Sequence, residues 1–374
     1  MTYDLRLTTY NLKAFVLAPY LQTGDAHIDY YYDFTQSIAE YTAVFAELGI
    51  DWQWQEVTTE NYTSVIDTIV GDQKAGNVFP IVLNLCDGDE VNGTPGISVI
   101  NYLNKKGLVY TGADATFYDI TTSKIAMKKA FDTAKVATPK WKAIYTANEN
   151  HDTIFEDLGS PIMVKPAVAG GSMGVGVNNV VASQEAFAMQ LHRMFEGYRG
   201  WQLTSGGIVA ESFINGDEFT VFLVGNHLYK EEAIIYPSVK RVFHHSLPEV
   251  EKFLSFDRLW EIYEEETAMP NNDYFYEYAL PDSHLEPAIQ QIAWDAFVAV
   301  KGTGYARIDI RQDKATDKLY VLEVNAQCGI SKDEDYTSIG AILKFANVSF
   351  TELVARILNN NNKQFCVVEI SSEP

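Results

Sequence analysis

The stretch GYARIDIRQDKATDKLYVLEVNAQCGIS, residues 304–331, contains two apolar strands around a polar turn. Strand side chains alternate between two faces, so Arg307 and Asp309 share a face of the first strand, and Glu323 and Asn325 share a face of the second. A hairpin through RQDKATDK would bring these pairs together. Clustered oxygen donors are typical of a magnesium site, whereas each residue alone could simply face solvent. Because the four occur together, the pattern favours a metal site.

Alternation also divides the apolar residues of the second strand between its faces. Along YVLEVN, Val321 is predicted on the face of Glu323 and Asn325, and Val324 on the opposite face. A carboxylate and a carboxamide therefore share one face of an otherwise apolar strand.

A second motif, VKPAVAGGSMGVG at residues 164–176, lies between two predicted strands. Its glycines allow positive φ and leave amides free, as loops that bind phosphate require. The motif matches neither the Walker A nor the dinucleotide-binding pattern, and a glycine-rich turn alone is more often structural. Lys165, at the end of the preceding strand, favours phosphate binding because a lysine can reach a phosphate as a point charge.

The composition is that of a globular protein rather than a disordered one. With 374 residues, of which 47% are hydrophobic and 21% charged, the chain can form two or three domains with a substantial core. A formal net charge of −22 argues against a nucleic-acid partner, whose phosphates need a basic surface. Local lysines could still bind a small anion such as a nucleotide.

The sequence shows no targeting or disulfide pattern. Its first residues lack the basic and then apolar organisation of a signal peptide, and no run of about 18 apolar residues could span a membrane. We therefore expect a cytoplasmic protein without a membrane partner. The three cysteines, Cys86, Cys328 and Cys366, form neither a disulfide framework nor a zinc pattern and are expected to be reduced.

The first third of the chain alternates strand and helix patterns. KAFVLAPY predicts a strand, DFTQSIAEYTAVFAELG a helix that ends at Gly49, and FPIVLNLC a second strand, which together indicate a parallel α/β sheet. Ligands bind beyond the carboxyl ends of such strands, so residues 87–96 form either a site loop or only a turn. The helix ISVINYLNKKG ends at Gly107, and another is predicted from about Thr121 to Ala134.

The rest of the chain predicts an antiparallel α+β module. The glycine-rich motif joins two strands, and GGIVAESFINGDEFTVFLVGN repeats that pattern around the turn INGDE. Residues 237–282 are irregular, aromatic and acidic, and are predicted either to cover a site or to form a surface insert. The helix LEPAIQQIAWDAFVAVKG precedes the hairpin, and the helix SFTELVARILNN follows it.

In this order, VKP with GGSMGVG, ESFINGDEFTV, RIDI and LEVNAQCGIS resemble the ATP-grasp fold, and specifically its D-alanine–D-alanine ligase branch. The similarity extends over roughly residues 80–360. It implies an α/β and α+β architecture of three parts. These are an N-terminal parallel α/β substrate-binding domain at residues 1–118, a central ATP-grasp subdomain at 119–208 with the glycine-rich loop, and a C-terminal ATP-grasp subdomain at 209–374 with the metal site. The last two would clamp ATP.

The resemblance also implies the residues that bind ATP. They are Lys124, Lys165, Gly171, Ser172, Glu211, Ser212, Ile214 and Glu218. The two lysines and the loop amides would contact the phosphates. Glu211 would meet the adenine amino group, the backbone at Ser212 and Ile214 would complete the adenine edge, and Glu218 would bind the ribose hydroxyls.

Metal ligands and catalytic residues are implied in the same way. Asp309, Glu323 and Asn325 would hold two Mg²⁺ ions, which Mn²⁺ could replace. Arg307 and the amide of Gly329 would stabilise an oxyanion. Ser331 is a third catalytic candidate, because it takes the place of a threonine in the family's acceptor loop.

The implied reaction joins a small-molecule carboxylate donor to an amine acceptor. The carboxylate attacks the γ-phosphate of ATP to give an acyl phosphate, and the amine then displaces phosphate through a tetrahedral intermediate. Negative charge develops in each step, which explains the expected magnesium, lysine and arginine. The family also suggests a homodimer.

The acceptor loop departs from the family pattern. Cys328 stands where the family has proline, and Glu334 stands where it has a serine that binds the acceptor carboxylate. A glutamate there would repel a carboxylate. Either Lys332 compensates, or the acceptor is not an α-amino acid presented in the usual way.

The donor side departs as well. LAPYLQTGDAHIDYYYDF lacks the glycine-rich segment with a glutamate that binds the donor ammonium in wall-forming ligases. Asp25, His27 or Asp29 could substitute, and an ordinary polar loop is the alternative reading.

Two further departures concern the nucleotide side. Gly171 occupies a position that is commonly serine in this branch, and the family's tyrosine-bearing cover loop is not identifiable within residues 236–245. Lys240 and Arg241 in that segment could reach a phosphate or could be solvated surface residues.

These patterns lead to one main hypothesis. The chain is expected to be an ATP-dependent carboxylate-amine ligase that joins amino acids or similar substrates, with a specialised biosynthetic pathway as one setting. One alternative is a D-alanine–D-alanine ligase of cell-wall synthesis with a rearranged pocket. Another is a non-catalytic nucleotide-sensing protein, against which the retained metal and arginine positions argue.

Overall fold

A computed structural model of the chain describes residues 11–24, 29, 32–76 and 78–360, together with the backbone of residues 3–4 and 369–370. The candidate donor residues Asp25 and His27, and also Cys366, lie outside the described residues. None of the helices in these ranges combines the length and the apolarity needed to span a bilayer.

The N-terminal part is a four-stranded parallel sheet with helices, as the sequence predicts. Its elements are β1 (Tyr3–Asp4), β2 (Leu12–Pro19), α1 (Thr35–Leu48), β3 (Asp51–Val57), α2 (Tyr62–Lys74), β4 (Phe79–Asn84), α3 (Ile97–Lys106), β5 (Val109–Tyr110) and α4 (Ala115–Thr122). The strand order is β3, β2, β4, β5, and all neighbours run parallel. The two central strands are almost entirely buried, which explains their continuous apolar runs.

The apolar pattern did not predict β3 and α2. β3 is an edge strand of sequence DWQWQEV, in which only Val57 is buried. In α2 only Ile66 and Ile69 are buried. Both elements are therefore real but carry a weak periodic signal, because a small part of each faces the core.

The helix predicted from about Thr121 to Ala134 is confirmed, but it begins at Lys124 and a separate helix precedes it. Two helices, α4 and α5 (Lys124–Ala134), meet at Ser123, whose backbone is extended at φ −111° and ψ 119°. That conformation cannot continue a helical hydrogen-bond ladder. The break places Lys124 at the start of α5, where its amide donates to the carbonyl of Ala167 at 2.8 Å.

The middle of the chain forms an antiparallel sheet in the order β6, β9, β7, β8. After α5, its elements are β6 (Trp141–Ile144), α6 (Ile154–Leu158), β7 (Ile162–Pro166), β8 (Val180–Val181), α7 (Gln184–Glu196) and β9 (Ile208–Ser212). The glycine-rich motif connects β7 to β8, as predicted.

A second antiparallel sheet follows, in the order β13, β12, β10, β14, β15, with β11 paired to β10. The elements are β10 (Glu218–Asn226), β11 (Ile234–Ile235), β12 (Val239–Phe243), α8 (Phe256–Leu259), β13 (Tyr276–Ala279), α9 (Glu286–Ala299), β14 (Thr303–Gln312), β15 (Leu319–Ala326), α10 (Ser338–Ala346), α11 (Phe350–Asn360) and β16 (Glu369–Ile370). β16 pairs with β1. Short 3₁₀ turns occur at Val177–Asn179, Lys230–Glu232, Glu249–Glu251 and Pro270–Asn272.

The two strands predicted on either side of INGDE are confirmed as β9 and β10, but they belong to different sheets and do not pair with each other. The connection passes close to the end of β14. A Cβ atom on Gly216 would lie 1.9 Å from the carbonyl oxygen of Gln312, so only glycine permits this crossing. The segment therefore leads from the middle sheet into the C-terminal sheet.

The hairpin of β14 and β15 forms in the predicted register, with one irregularity. Asp309 lies opposite Glu323, but Ile310 lies opposite Val321, so β15 carries an extra residue between these pairs. This bulge reverses the predicted facing of Val321, which is fully buried, as is Val324. Glu323 stays half-buried on the site side.

One hydrophobic core joins the N-terminal and C-terminal parts. Val16 of β2, Tyr41 and Phe45 of α1, and Leu353 of α11 belong to a single buried cluster. This packing positions the parallel sheet relative to the hairpin, and so sets the position of the candidate site.

Candidate active site

Asp309 is the centre of the cluster on the hairpin. Its Oδ1 accepts a hydrogen bond from the hydroxyl of Thr220 at 2.9 Å. Its Oδ2 accepts from the Arg307 guanidinium and from the Asn325 amide, each at 3.0 Å. These contacts hold the carboxylate in one orientation. Thr220 was not predicted, because it lies on β10, opposite Asp309 in a strand pairing that the local sequence does not reveal.

Lys124 connects this cluster to the glycine-rich loop. Its ammonium donates to the carbonyl of Ala169 at 3.0 Å and lies 3.6 Å from Glu323 Oε2. The two predicted motifs are therefore neighbours in space, with a cation between them. This is the arrangement expected where a polyphosphate is held between lysine and a divalent cation.

The donor chemistry of the hairpin fits Mg²⁺. Asp309 and Glu323 offer carboxylate oxygens and Asn325 offers a carboxamide oxygen, all of them hard ligands. Among the residues that the structure describes, no group of three or more His, Cys, Asp or Glu side chains could hold a metal. The predicted set has only two carboxylates, so it would need further oxygens, which ATP phosphates can supply.

The glycine-rich loop has the backbone form of an anion site. Gly171, Ser172 and Gly174 have φ of 56°, 61° and 71°. Among the described residues, none accepts a hydrogen bond from the amides of Gly171 and Ser172. Successive unbonded amides in such a turn point at a common anion. The structure thus leaves these amides available, as the prediction for Gly171 and Ser172 requires.

Residues 256–266 cover this loop. The amide of Phe256 donates to the carbonyl of Val175 at 2.8 Å, and Trp260 Nε1 donates to the carbonyl of Gly171 at 2.9 Å. Glu266 accepts from the amide of Val177 at 3.0 Å. Part of the acidic stretch at 237–282 therefore lies against the candidate phosphate site and is not a detached insert.

Glu211 forms a buried ion-paired cluster with two lysines. Its carboxylate lies 2.5 Å from Lys128 Nζ and 2.6 Å from Lys165 Nζ. Burial opposes ionisation, but the two ammonium groups outweigh it and lower the pKa of Glu211 to about 2. Burial lowers the pKa of Lys128, whereas Glu211 and Glu323 raise the pKa of Lys165 in spite of burial. Lys165, predicted for phosphate, is thus held charged beside the predicted adenine ligand.

Lys128 was missed, although a signal existed. It follows Lys124 by four residues, and residues at this spacing share a helix face. Its ammonium also donates to Thr138 Oγ1 at 2.9 Å. The two lysines therefore approach the site from one face of α5.

Glu218 lies between two arginines. Arg241 on β12 is paired with its carboxylate, and Arg311 Nε on β14 is 3.9 Å away. All three side chains are buried. Arg241 is therefore not a solvated surface residue, whereas Lys240 is partly exposed and pairs with Asp217 at 2.5 Å.

Of the two backbone positions predicted to bind the edge of the adenine ring, Ser212 and Ile214, one is already hydrogen-bonded within the protein. The amide of Ser212 donates to the carbonyl of Lys140 at 2.9 Å, and its hydroxyl donates to Leu158 at 2.6 Å. No described residue accepts from the amide of Ile214. Of the two positions, only Ile214 offers an unbonded amide.

The acceptor loop, residues 327–334, is held by long-range contacts. Ser331 Oγ donates to Glu40 at 2.9 Å, and the amide of Lys332 donates to the same carboxylate at 3.3 Å. Glu334 pairs with Lys344 at 2.7 Å on the surface. The Ser331 hydroxyl is thus engaged with α1, and Glu334 is neutralised by α10.

Two other residues of this loop differ in their surroundings. A Cβ atom on Gly329 would meet nothing within 4 Å, so its backbone borders open space, as its predicted role requires. Gln327 was not predicted. Its side chain accepts from the amide of Ala113 at 2.8 Å and donates to the carbonyl of Asn84, which fixes the loop against the end of β4.

Comparisons with known proteins agree with this geometry. A family model described as the D-ala D-ala ligase C-terminus matches residues 130–359. The D-alanine–D-alanine ligase of Marinobacter nauticus is 28% identical over 259 residues, which cover 69% of this chain and 68% of the relative. The D-alanine–D-alanine ligase B of Xanthomonas campestris pv. campestris is 27% identical over 286 residues, which cover 75% and 77%.

Solved structures extend the similarity to most of the chain. The D-alanine–D-alanine ligase from Bacillus anthracis complexed with ATP aligns with a TM-score of 0.62 and 17% identity, covering 94% of this chain and 97% of that one. The VanG D-Ala:D-Ser ligase from Enterococcus faecalis aligns with a TM-score of 0.66 and 16% identity, covering 94% and 99%. These alignments show a shared fold.

Proposed function

The chain belongs to the D-alanine–D-alanine ligase family and has the ATP-grasp fold, and from this premise we propose that it joins two amino-acid-like substrates through an acyl phosphate. It is an ATP-dependent ligase that forms a C–N bond. The observation that best supports the proposal is the position of Lys124 between the glycine-rich loop and Glu323.

The nucleotide would lie between the two antiparallel sheets. Lys124, Lys165 and the amides at Ser172 would bind its phosphates, while Glu211 and Ile214 would bind the adenine and Glu218 the ribose. Asp309, Glu323 and Asn325 would hold Mg²⁺, which supplies charge neutralisation at the phosphates when bound. We propose two such ions, with Mn²⁺ as a possible replacement.

Arg307 and the Gly329 amide would act where the oxyanion forms. Arg307 keeps its charge, because Asp309 raises the pKa of the guanidinium although burial opposes this. A fixed cation and an unbonded amide aimed at developing negative charge stabilise the tetrahedral intermediate more than the ground state. Ser331 would act indirectly by holding the acceptor loop to Glu40.

The proposal also specifies the chemical classes of the two substrates. The small-molecule partners are a carboxylate donor and an amine acceptor, both amino acids or close analogues. The second candidate is a D-alanine–D-alanine ligase proper, which the names of the relatives favour. We also propose a homodimer, and a cytoplasmic location because ATP is available there.

Release of ADP and phosphate, measured over pairs of D- and L-amino acids, tests the proposal. We expect release that depends on both members of a pair and that matches the amide formed. If D-alanine alone supports full turnover, the second candidate is correct. A folded protein that binds ATP but releases ADP with no pair would contradict both.

A further inference from the structure

The loop after β4 carries three acidic residues with different surroundings. Asp89 accepts hydrogen bonds from two amides of the loop at 3.0 and 2.9 Å. Glu90 accepts from the amide of Ser98, in the first turn of α3, at 2.6 Å. No hydrogen bond or ion pair joins the carboxylate of Asp87 to any other described residue. Asp89 and Glu90 thus shape the loop, and Asp87 is left for a ligand.

The loop holds Asp87 in a fixed place. The hydroxyl of Tyr118 donates to the carbonyl of Gly88 at 2.8 Å, and the amide of Gly88 donates to Pro95 at 3.1 Å. A Cβ atom on Gly88 would lie 2.1 Å from the carbonyl oxygen of Thr94, so the two sides of the loop are in close contact. A group held in this way is pre-organised for binding.

Asp87 lies at the end of the parallel sheet to which the acceptor loop is bonded. It follows the carboxyl end of β4, the edge at which parallel α/β sheets bind ligands. Gln327 of the acceptor loop bonds the carbonyl of Asn84 on the same strand. The Asp87 side chain is exposed, yet the surrounding protein removes enough water, with a contribution from Asp89, to raise the pKa of Asp87 to about 6.

The groups around Asp87 are neutral or acidic. Those that interact with its charge are Tyr32, Cys86, Asp89, Tyr118, Tyr305 and Cys328. No lysine, arginine or histidine of the described chain forms an ion pair with it. Surroundings of this kind are complementary to a cation.

We propose that Asp87 binds the protonated amino group of the substrate whose carboxylate is phosphorylated, and so determines specificity for that substrate. This assignment rests on the proposed function. The attacking amine must lose its proton, so an ammonium held by a carboxylate belongs to the other substrate. Asp29, a candidate from the sequence, is already used, because it accepts from the amide and the hydroxyl of Thr23 at 2.6 and 2.9 Å.

The experiment compares Asp87→Asn with the matched variant Asp119→Asn. Asp119 is an exposed carboxylate on α4 without a partner among the described residues. Steady-state ADP release is measured with the amino acid pair that the wild-type protein uses. We expect Asp87→Asn to raise KM for the carboxylate substrate about 10- to 100-fold, the range for one charged hydrogen bond, and to leave KM for ATP unchanged. Asp119→Asn should leave both constants unchanged.

Two further readouts separate binding from a structural effect. The wild-type KM should fall as pH rises through about 6, because only the ionised Asp87 binds an ammonium, and the KM of Asp87→Asn should show no such change. The wild-type protein should prefer alanine to propionate as carboxylate substrate, and the variant should lose this preference. Its melting temperature at pH 7.5 should be equal or higher, because the raised pKa of Asp87 means that its ionised form is less favourable in the folded protein than in the unfolded chain.

The possible failures are distinguishable. If the wild-type protein turns over a pair and Asp87→Asn behaves as Asp119→Asn does, the assignment of Asp87 is wrong and the proposed function stands. If the wild-type protein releases no ADP with any pair, the proposed function fails, and the role of Asp87 fails with it.

Discussion

The hairpin of β14 and β15 and the acceptor loop adjoin in sequence but are positioned by different means. In the hairpin, the partners of Asp309 lie two residues away on β14 or on the neighbouring strands. Thr220 is opposite Asp309, and Asn325 is opposite Arg307. In the acceptor loop, Ser331 is bonded to Glu40, 291 residues away, and Glu334 is paired with Lys344 on a separate helix. Side-chain contacts in the hairpin can therefore be inferred from spacing, whereas those in the loop depend on the tertiary fold.

The largest expected effect tests the hairpin. Glu323→Gln should lower turnover about 10³-fold, because several kcal/mol of charge stabilisation at the phosphates is lost with the metal. The melting temperature without ligand should hardly change, since Glu323 is half-buried and its ion-pair partner Lys124 lies 3.6 Å away. Turnover and thermal unfolding measured on the same preparation check both statements. A large loss of stability would show that the hairpin carboxylate supports the fold rather than a metal.

A somewhat smaller effect is expected at Arg307. Arg307→Ala should reduce turnover about 10²- to 10³-fold, as removal of one oxyanion donor does, with little change in KM for ATP. Because Asp309 would lose its guanidinium partner, Arg307→Lys is the control that keeps the charge. If the lysine variant is as inactive as the alanine variant, the geometry of the two guanidinium contacts matters as well as the charge.

The clustering of side chains on the hairpin could be predicted from the sequence because these residues lie in short, regular patterns. Arg307, Asp309, Glu323 and Asn325 follow the two-residue period of a strand, and the hairpin turn is local. The bulge that turns Val321 inward could not be predicted, because it is an irregularity of pairing and not of composition. The break at Ser123 was missed for a similar reason, since both flanking segments favour helix.

The long-range contacts of the acceptor loop and of Asp309 could not be predicted in the same way. Gln327 contacts Asn84 and Ala113, more than 200 residues earlier in the chain, and Thr220 reaches Asp309 only through the pairing of β10 with β14. The weakly patterned β3 and α2 were missed because few of their side chains face the core. Long-range pairing and partial burial thus account for most of the differences between prediction and structure.

A smaller effect tests how the acceptor loop is positioned. Ser331→Ala removes one hydrogen bond to Glu40, worth about 1 kcal/mol, and should raise KM for the amine substrate roughly 5-fold. KM for ATP should stay the same, because the residues proposed to bind the nucleotide are on other elements. Ser331→Thr keeps the hydroxyl and should restore most of the affinity. Equal effects on both KM values would mean that the loop also supports the ATP side.

The smallest effect is expected at Glu334. It tests most directly whether long-range contacts, and not sequence spacing, determine the roles of side chains in the acceptor loop. By its place in the family's acceptor loop, Glu334 would repel an acceptor carboxylate. Its carboxylate instead lies 2.7 Å from Lys344 Nζ, and both side chains are about half exposed. Such surface pairs contribute little, so Glu334→Gln should change KM for the amine substrate by less than about twofold. If the variant binds an amino acid acceptor far more tightly, Glu334 faces the substrate during turnover. The role of Glu334 is then the one expected from its place in the family's acceptor loop, and its contact with Lys344 does not hold during the reaction. If KM is unchanged, the contact with α10 has removed the repulsion, and an α-amino acid acceptor is compatible with this loop.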